Sequence, residues 1–338
     1  MKQIIVTKPH TYEIQEVPVP ELADEYEVLV QMKAAGVCGS DVHIYHGTNP
    51  CSTYPRIPGH ENVGVIAKVG PKVTRVKPGD RVVVDLIITC GECYQCKIGR
   101  ENVRVRGSGT DGGWREFFTA PETDVYPFPE DISWKDAALL EPYAIGGHCT
   151  NRGRLVKGDV VYILGAGTIG SIILQTCKAA GATVIIADVN DDSLERAKGY
   201  GADHTINPKK ENVPQCIQEI TKGKGASLAF DAACFKGSLT SIFEPGIMRN
   251  AGRIVSLGFC TEPEAITQAM IDQRELDLIG SRMSCYQFEP TIEKFRNKAF
   301  NLEGIATTFI KFSEIDKVFH NMDNPSPEVK KMVILFDE

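Results

Sequence analysis

No stretch of this 338-residue chain approaches the apolar length that a membrane span needs. It has no basic run either, and a net charge of -7 with a pI of about 5.6 argues against a nucleic-acid surface. Internal repeats, low-complexity segments and Gly/Ser-rich linkers are absent. The opening residues, Met1-Lys2-Gln3-Ile4-Ile5-Val6-Thr7-Lys8-Pro9, turn polar too early for a secretory apolar region, so no export signal is expected. The 11 cysteines are an odd number. Without an export signal they read as metal binding plus reduced, mostly buried thiols, not as a disulfide frame, and the expected compartment is the cytosol. The acidic balance carries no positive information about a substrate.

What is present is ordinary globular material, 42% hydrophobic and 24% charged. A chain of this length usually divides into two domains. Composition shifts near residue 150. Before it, short apolar runs such as Ile4-Ile5-Val6, Glu27-Val28-Leu29-Val30, Val63-Gly64-Val65-Ile66-Ala67 and Arg81-Val82-Val83-Val84 are broken by Pro and Gly, which predicts a mainly β region. Lys77-Pro78-Gly79-Asp80 reads as a turn. From about residue 157, strands alternate with helices. Val160-Val161-Tyr162-Ile163-Leu164 is a continuous apolar run, as in a strand buried on both faces. Ile169, Ile172, Ile173 and Cys177 then recur at helical spacing up to Gly181. Further strands are expected at Thr183–Ile186, Ser227–Phe230, Arg253–Leu257 and Leu276–Ile279, together a doubly wound parallel sheet in an α/β fold. Lys331–Phe336 is strand-like and is expected to return to the first region.

Gly165-Ala166-Gly167-Thr168-Ile169-Gly170 follows a strand and opens a helix, the context in which a GxGxxG pattern points to a dinucleotide. Gly165 permits the tight turn, Gly167 lets backbone approach a pyrophosphate, and Gly170 lets the helix pack on the strand; Thr168 and Ile169 lie where the helix starts. Asp188 ends the next strand, where an acid accepts hydrogen bonds from ribose hydroxyls and repels a 2′-phosphate. No arginine follows in Val189-Asn190, so NAD is favoured over NADP.

Cys38, His60 and Glu141 are metal-ligand types far apart in sequence. Taken singly, each has an ordinary reading: a buried thiol, a core histidine, an acid at a helix terminus. An ordered series of motifs joins them. Gly36-Val37-Cys38-Gly39-Ser40-Asp41-Val42-His43 comes first, followed by Gly59-His60-Glu61-Asn62-Val63-Gly64 and Gly79-Asp80-Arg81-Val82. Cys90-Gly91-Glu92-Cys93-Tyr94-Gln95-Cys96 and Asp111-Gly112-Gly113-Trp114 complete it. This series resembles the zinc-dependent medium-chain dehydrogenases of the alcohol dehydrogenase superfamily, over essentially the whole chain. Glu141 in Leu140-Glu141-Pro142 resembles the polyol branch of sorbitol, threonine, galactitol-phosphate and sugar-acid dehydrogenases. Alcohol dehydrogenases proper use a second Cys there.

The resemblance implies a GroES-like, mainly β catalytic domain over residues 1–145, completed by 286–338, and a Rossmann NAD-binding domain over 146–285. It implies Cys38, His60 and Glu141 as ligands of a catalytic zinc, Glu61 as an alternating or supporting acid, and Asp41 as the group that orients His60. Ser40 would take the proton of a substrate hydroxyl and pass it through the nicotinamide ribose to His43, while hydride goes to the nicotinamide. The implied reaction is NAD-dependent oxidation of a secondary alcohol on a polyol or sugar acid, in a homodimer or homotetramer. Cys90, Cys93 and Cys96 have structural-zinc spacing, but Arg104 stands where the family has a fourth Cys. Either that second zinc site is lost, or another residue or a water completes it. Tyr45, Trp114 and Phe117 are open as pocket walls or core; Arg282 as a partner of a substrate carboxylate or phosphate, or of a structural ion pair; Lys330 and Lys331 read as solvated. Two rivals remain: a zinc-independent quinone or enone reductase, against which the intact ligand set and Asp188 argue, and a non-catalytic NAD or metabolite sensor, which would have no use for Ser40 and His43.

Overall fold

The structure, a computed structural model, describes residues 1–50, 52–87, 89–103, 111–258 and 260–337. In chain order the first seven strands are β1 Lys2–Lys8, β2 Thr11–Glu16, β3 Glu27–Val37, β4 Glu61–Val69, β5 Arg81–Val84, β6 Phe117–Pro121 and β7 Val125–Pro127. Six more alternate with helices: β8 Val160–Leu164, β9 Thr183–Ala187, β10 His204–Ile206, β11 Ala226–Asp231, β12 Met248–Ser256 and β13 Asp277–Gly280. Two close the chain, β14 Thr308–Lys311 and β15 Met332–Leu335. Two compact units result. One comprises Met1–Glu141, Phe288–Asn297 and Leu302–Glu338; the other comprises Pro142–Gln287 and Lys298–Asn301.

In the first unit the sheet runs β14-β15-β3-β4-β5-β7, with β6 also pairing β3. All of its pairs are antiparallel except β14 with β15. The hairpin pair β1 and β2 forms a separate two-stranded sheet whose Ile4 and Val6 join the core of this unit. Alternation in β3 turns Val28, Val30 and Met32 into a core shared with Val82, Val84, Trp114 and Phe319. The last strand, β15, lies antiparallel to β3 across Val37↔Met332, so residues from opposite ends of the chain meet at one sheet position. The turn Lys77–Asp80 is closed by the Asp80 N–H donating to the Lys77 carbonyl at 3.1 Å.

The second unit is the expected doubly wound arrangement: a parallel sheet of order β10-β9-β8-β11-β12-β13. Strands β8, β9 and β11 are buried almost throughout, which is why they read as unbroken apolar runs. Strand order reverses between β8 and β11, the switch point at which such sheets bind ligands. Among the described residues no helix is long and apolar enough to cross a membrane.

Candidate functional site

Cys38 is the N-cap of the helix Gly39–His46, which ends at Gly47 in the left-handed conformation, φ 77°. Asp41, in the first turn, is buried. Its carboxylate accepts the Cys38 N–H at 2.9 Å and the Gly59 N–H at 3.0 Å. One side chain therefore fastens the two backbone segments that carry Cys38 and His60. His60 Nδ1 lies 3.7 Å from Asp41 Oδ1. Burial alone would lower the His60 imidazole, but Asp41 and Cys38 beside it hold its proton well above the usual range. Burial works the other way on Asp41, yet His60 and the two N–H donors keep its carboxyl low.

Donor atoms of Cys38, His60 and Glu61 lie within 4.8 Å of one another. Glu61 opens β4 directly across from Gly36 of β3. A Cβ at Gly36 would stand 1.7 Å from Glu61 Oε2, so glycine makes the room for that carboxylate. Lys331, read from sequence as solvated, is instead buried and donates to Glu61 Oε1. Glu61 Oε2 is buried with no hydrogen-bond partner. Glu141, in the first turn of the helix Leu140–Arg152, stands beside the trio and not within it: its carboxyl feels His60 and Glu61. Burial pushes that carboxyl up to about 8, with the imidazole of His60 opposing and the Glu61 charge adding. An orphaned carboxylate oxygen and an acid held protonated by its surroundings both describe a site short of positive charge. With a thiol and an imidazole alongside, the donor set fits zinc.

Ser40 is half-buried one residue into the same helix, and His43, exposed, contacts Thr48 Oγ1 through Nδ1 at 2.7 Å. Tyr45 and Trp114 belong to the core of the first unit, with Phe117 half-buried on β6. Arg282 is exposed just beyond β13.

In the second unit the glycine loop leaves β8. Gly165 has φ 101°, a conformation that favours glycine, and a Cβ at Gly170 would stand 1.9 Å from the Gly165 carbonyl oxygen. Gly167 caps the helix Thr168–Ala179 with open space where a Cβ would stand, so backbone can approach an anion at the helix start. Asp188 follows β9; its Oδ2 accepts the Ala166 N–H at 2.8 Å and its Oδ1 the Asn190 N–H at 2.9 Å. Sequence reasoning expected Asp188 at a ribose and did not foresee these bonds, which hold the loop.

Cys90, Cys93 and Cys96 gather around the short helix Tyr94–Lys97, with sulfur separations of 3.8 Å (Cys90 to Cys96) and 3.4 Å (Cys93 to Cys96). The backbone N–H groups of Glu92 and Cys93 draw the Cys90 thiol down to about 7. Three converging thiols suggest a structural zinc site. Arg104 lies outside the described residues. The ten described cysteines are all free thiols.

Comparison with known proteins agrees with this picture. Residues 24–130 match the family described as alcohol dehydrogenase GroES-like domain, and residues 168–297 match the zinc-binding dehydrogenase family. The chain is 35% identical to starvation-sensing protein RspB of Escherichia coli K12, over 100% of both chains. It is 33% identical to a sorbitol dehydrogenase of Bacillus subtilis, over 83% of this chain and 81% of that one. A solved structure of the alcohol dehydrogenase rspB from E. coli CFT073, complexed with NADH, superposes with a TM-score of 0.90 at 34% identity, covering 99% of each chain. The chain belongs to the zinc-dependent medium-chain dehydrogenases, in their polyol branch, and is an oxidoreductase of the alcohol dehydrogenase type.

Proposed function

We propose that this protein oxidises a secondary alcohol of a polyol or sugar acid with NAD, using one zinc ion held by Cys38, His60 and a carboxylate. The observation that carries the reading is the convergence of Cys38, His60 and Glu61 around a buried, unpartnered carboxylate oxygen, with Glu141 alongside. Glu141 is the third ligand in this reading, and Glu61, tethered by Lys331, is the acid that exchanges with it. Zinc bound there acts as a Lewis acid that lowers the pKa of an alcohol. Gly165–Gly170, with Thr168 and Ile169 at the helix start, would hold the pyrophosphate of NAD, which would supply the hydride acceptor. Asp188 takes the adenosine ribose hydroxyls and disfavours a 2′-phosphate. Ser40 accepts the proton of the alcohol, and His43, exposed, delivers it to solvent. Asp41 holds His60 in the orientation and tautomer that ligation needs. The substrate class rests on glutamate at position 141 and on likeness to the Bacillus subtilis sorbitol dehydrogenase. A homodimer or homotetramer in the reducing cytosol belongs to the same reading.

The test is NAD reduction across a panel of polyols, aldonic acids and their phosphates, each with and without a chelator. Chelator-sensitive reduction with one class is the expected result. Turnover that persists after zinc has been removed contradicts the metal role, and turnover confined to enones or quinones with NADPH contradicts the substrate class.

A further inference from the structure

A second group of donors meets at the C-terminal end of the helix whose N-cap is Cys38. His46 is the last residue of Gly39–His46, His10 occupies the turn between β1 and β2 at φ 56°, and Asp323 ends the helix Asp316–Asp323. His10 Nδ1 is 3.3 Å and His46 Nε2 is 3.4 Å from the same oxygen, Asp323 Oδ1. All three donor atoms lie within 4.8 Å of one another.

Several contacts hold this convergence in place. The His10 N–H donates to the Tyr45 carbonyl at 2.8 Å, tying the turn to the helix. The two imidazoles stack at 4.8 Å and 23°. The Tyr45 hydroxyl donates to Asp323 Oδ2 at 3.0 Å, leaving Oδ1 towards the imidazoles. His46 Nε2 is buried and, despite its closeness to Asp323, makes no bond of hydrogen-bonding geometry. His10 and Asp323 are exposed, so the cluster opens to solvent.

The geometry points to a binding site for a late first-row divalent metal ion, such as Ni²⁺, Co²⁺, Cu²⁺ or Zn²⁺, held by His10 Nδ1, His46 Nε2 and Asp323 Oδ1 with its remaining positions open to water. Bonds of about 2.0–2.2 Å to nitrogen and oxygen put ligand atoms roughly 3–3.5 Å apart, which is the separation both histidines keep from Asp323. Two imidazoles with one carboxylate favour these ions over magnesium or calcium, which prefer all-oxygen sites. Tyr45 steadies the carboxylate through its outer oxygen, as partners of metal ligands do. The ion would join the β1–β2 turn, the Cys38 helix and the helix Asp316–Asp323 at one point. The site shares no ligand with the cluster at Cys38 and does not depend on the function proposed above.

The test is a calorimetric titration of the zinc-loaded full-length protein with nickel chloride, alongside His10→Gln, His46→Gln and Tyr45→Phe. One nickel equivalent should bind to the parent and be missing from both histidine variants. Tyr45→Phe should bind about 10- to 100-fold more weakly. His10 is exposed on a turn, so His10→Gln keeps the test valid even if His46→Gln folds poorly. A cobalt titration gives a second readout: d–d absorption without a thiolate-to-metal charge-transfer band, lost in His10→Gln. Equal nickel binding by the parent and His10→Gln, no binding at all, or a thiolate band on the added cobalt would overturn the assignment.

Discussion

Glu61 and Lys331 stand 270 positions apart in sequence and form a buried ion pair next to Cys38. A pair this deep costs solvation that only its partner and neighbours offset, so neither residue tolerates loss of the other. Sequence reasoning read Lys331, like Lys330, as solvated at the start of a strand and had no local signal for its partner. Cys38, Asp41 and His60 were legible because each sits inside a short motif; the burial of Glu61 against Gly36 and Lys331 was not, since it depends on strand register. Asp85 gives a test at this scale. Burial pushes its carboxyl up to about 7 from an ordinary value of 3.8, with Asp124 and Glu101 adding and the Ile87 N–H opposing. The folded protein thus keeps a proton that the unfolded chain has released. The stability this contributes is full below about pH 4 and is lost as pH rises through 7. In zinc-free protein, Asp85→Asn should raise urea stability at pH 8 by about 1–2 kcal/mol and leave it unchanged at pH 4. That is less than the ~4 kcal/mol a shift of this size allows, because the charge-assisted bond from Ile87 weakens. Equal effects at both pH values would contradict the assignment of the charge.

The glycine loop was the most legible element, because its turn chemistry is written locally. Gly165 and Gly170 stand where any side chain would strike backbone, and the helix Thr168–Ala179 starts where the pattern placed it. What the pattern did not contain is the bond from the Ala166 N–H to Asp188, which joins the loop to the end of β9. Asp188→Asn keeps an acceptor for that N–H and removes the charge. It should therefore narrow the preference for NAD over NADP by about tenfold, roughly 1.4 kcal/mol, in paired dissociation constants. An unaltered ratio would mean that another group reads the 2′ position. The helix Gly39–His46 is the corresponding element of the first unit. It is only eight residues long, yet it carries Cys38 at its cap, Asp41 in its first turn and His46 at its last position. Nothing in its own sequence showed that His46 would face His10 and Asp323, since those arrive from a β-turn and from the end of a distant helix.

For the whole molecule, the class of each sheet was readable and its order was not. Unbroken apolar runs alternating with helical periodicity specify a parallel sheet, but the sequence β10-β9-β8-β11-β12-β13 follows from packing choices that no single strand records. In the first unit the sheet is completed by β14 and β15 from the end of the chain, and it is this return that delivers Lys331 to Glu61. The candidate groups are divided accordingly, with thiol, imidazole and carboxylates in one unit and the glycine loop in the other. In the proposed enzyme, metal binding should therefore be removable while nucleotide binding remains. The most direct measurement compares the parent with Cys38→Ala for zinc content, NAD affinity and NAD-dependent polyol oxidation. Loss of one zinc equivalent and of turnover, with folding and NAD affinity preserved, is the expected result; full turnover in Cys38→Ala would contradict the assignment of this site as the catalytic centre.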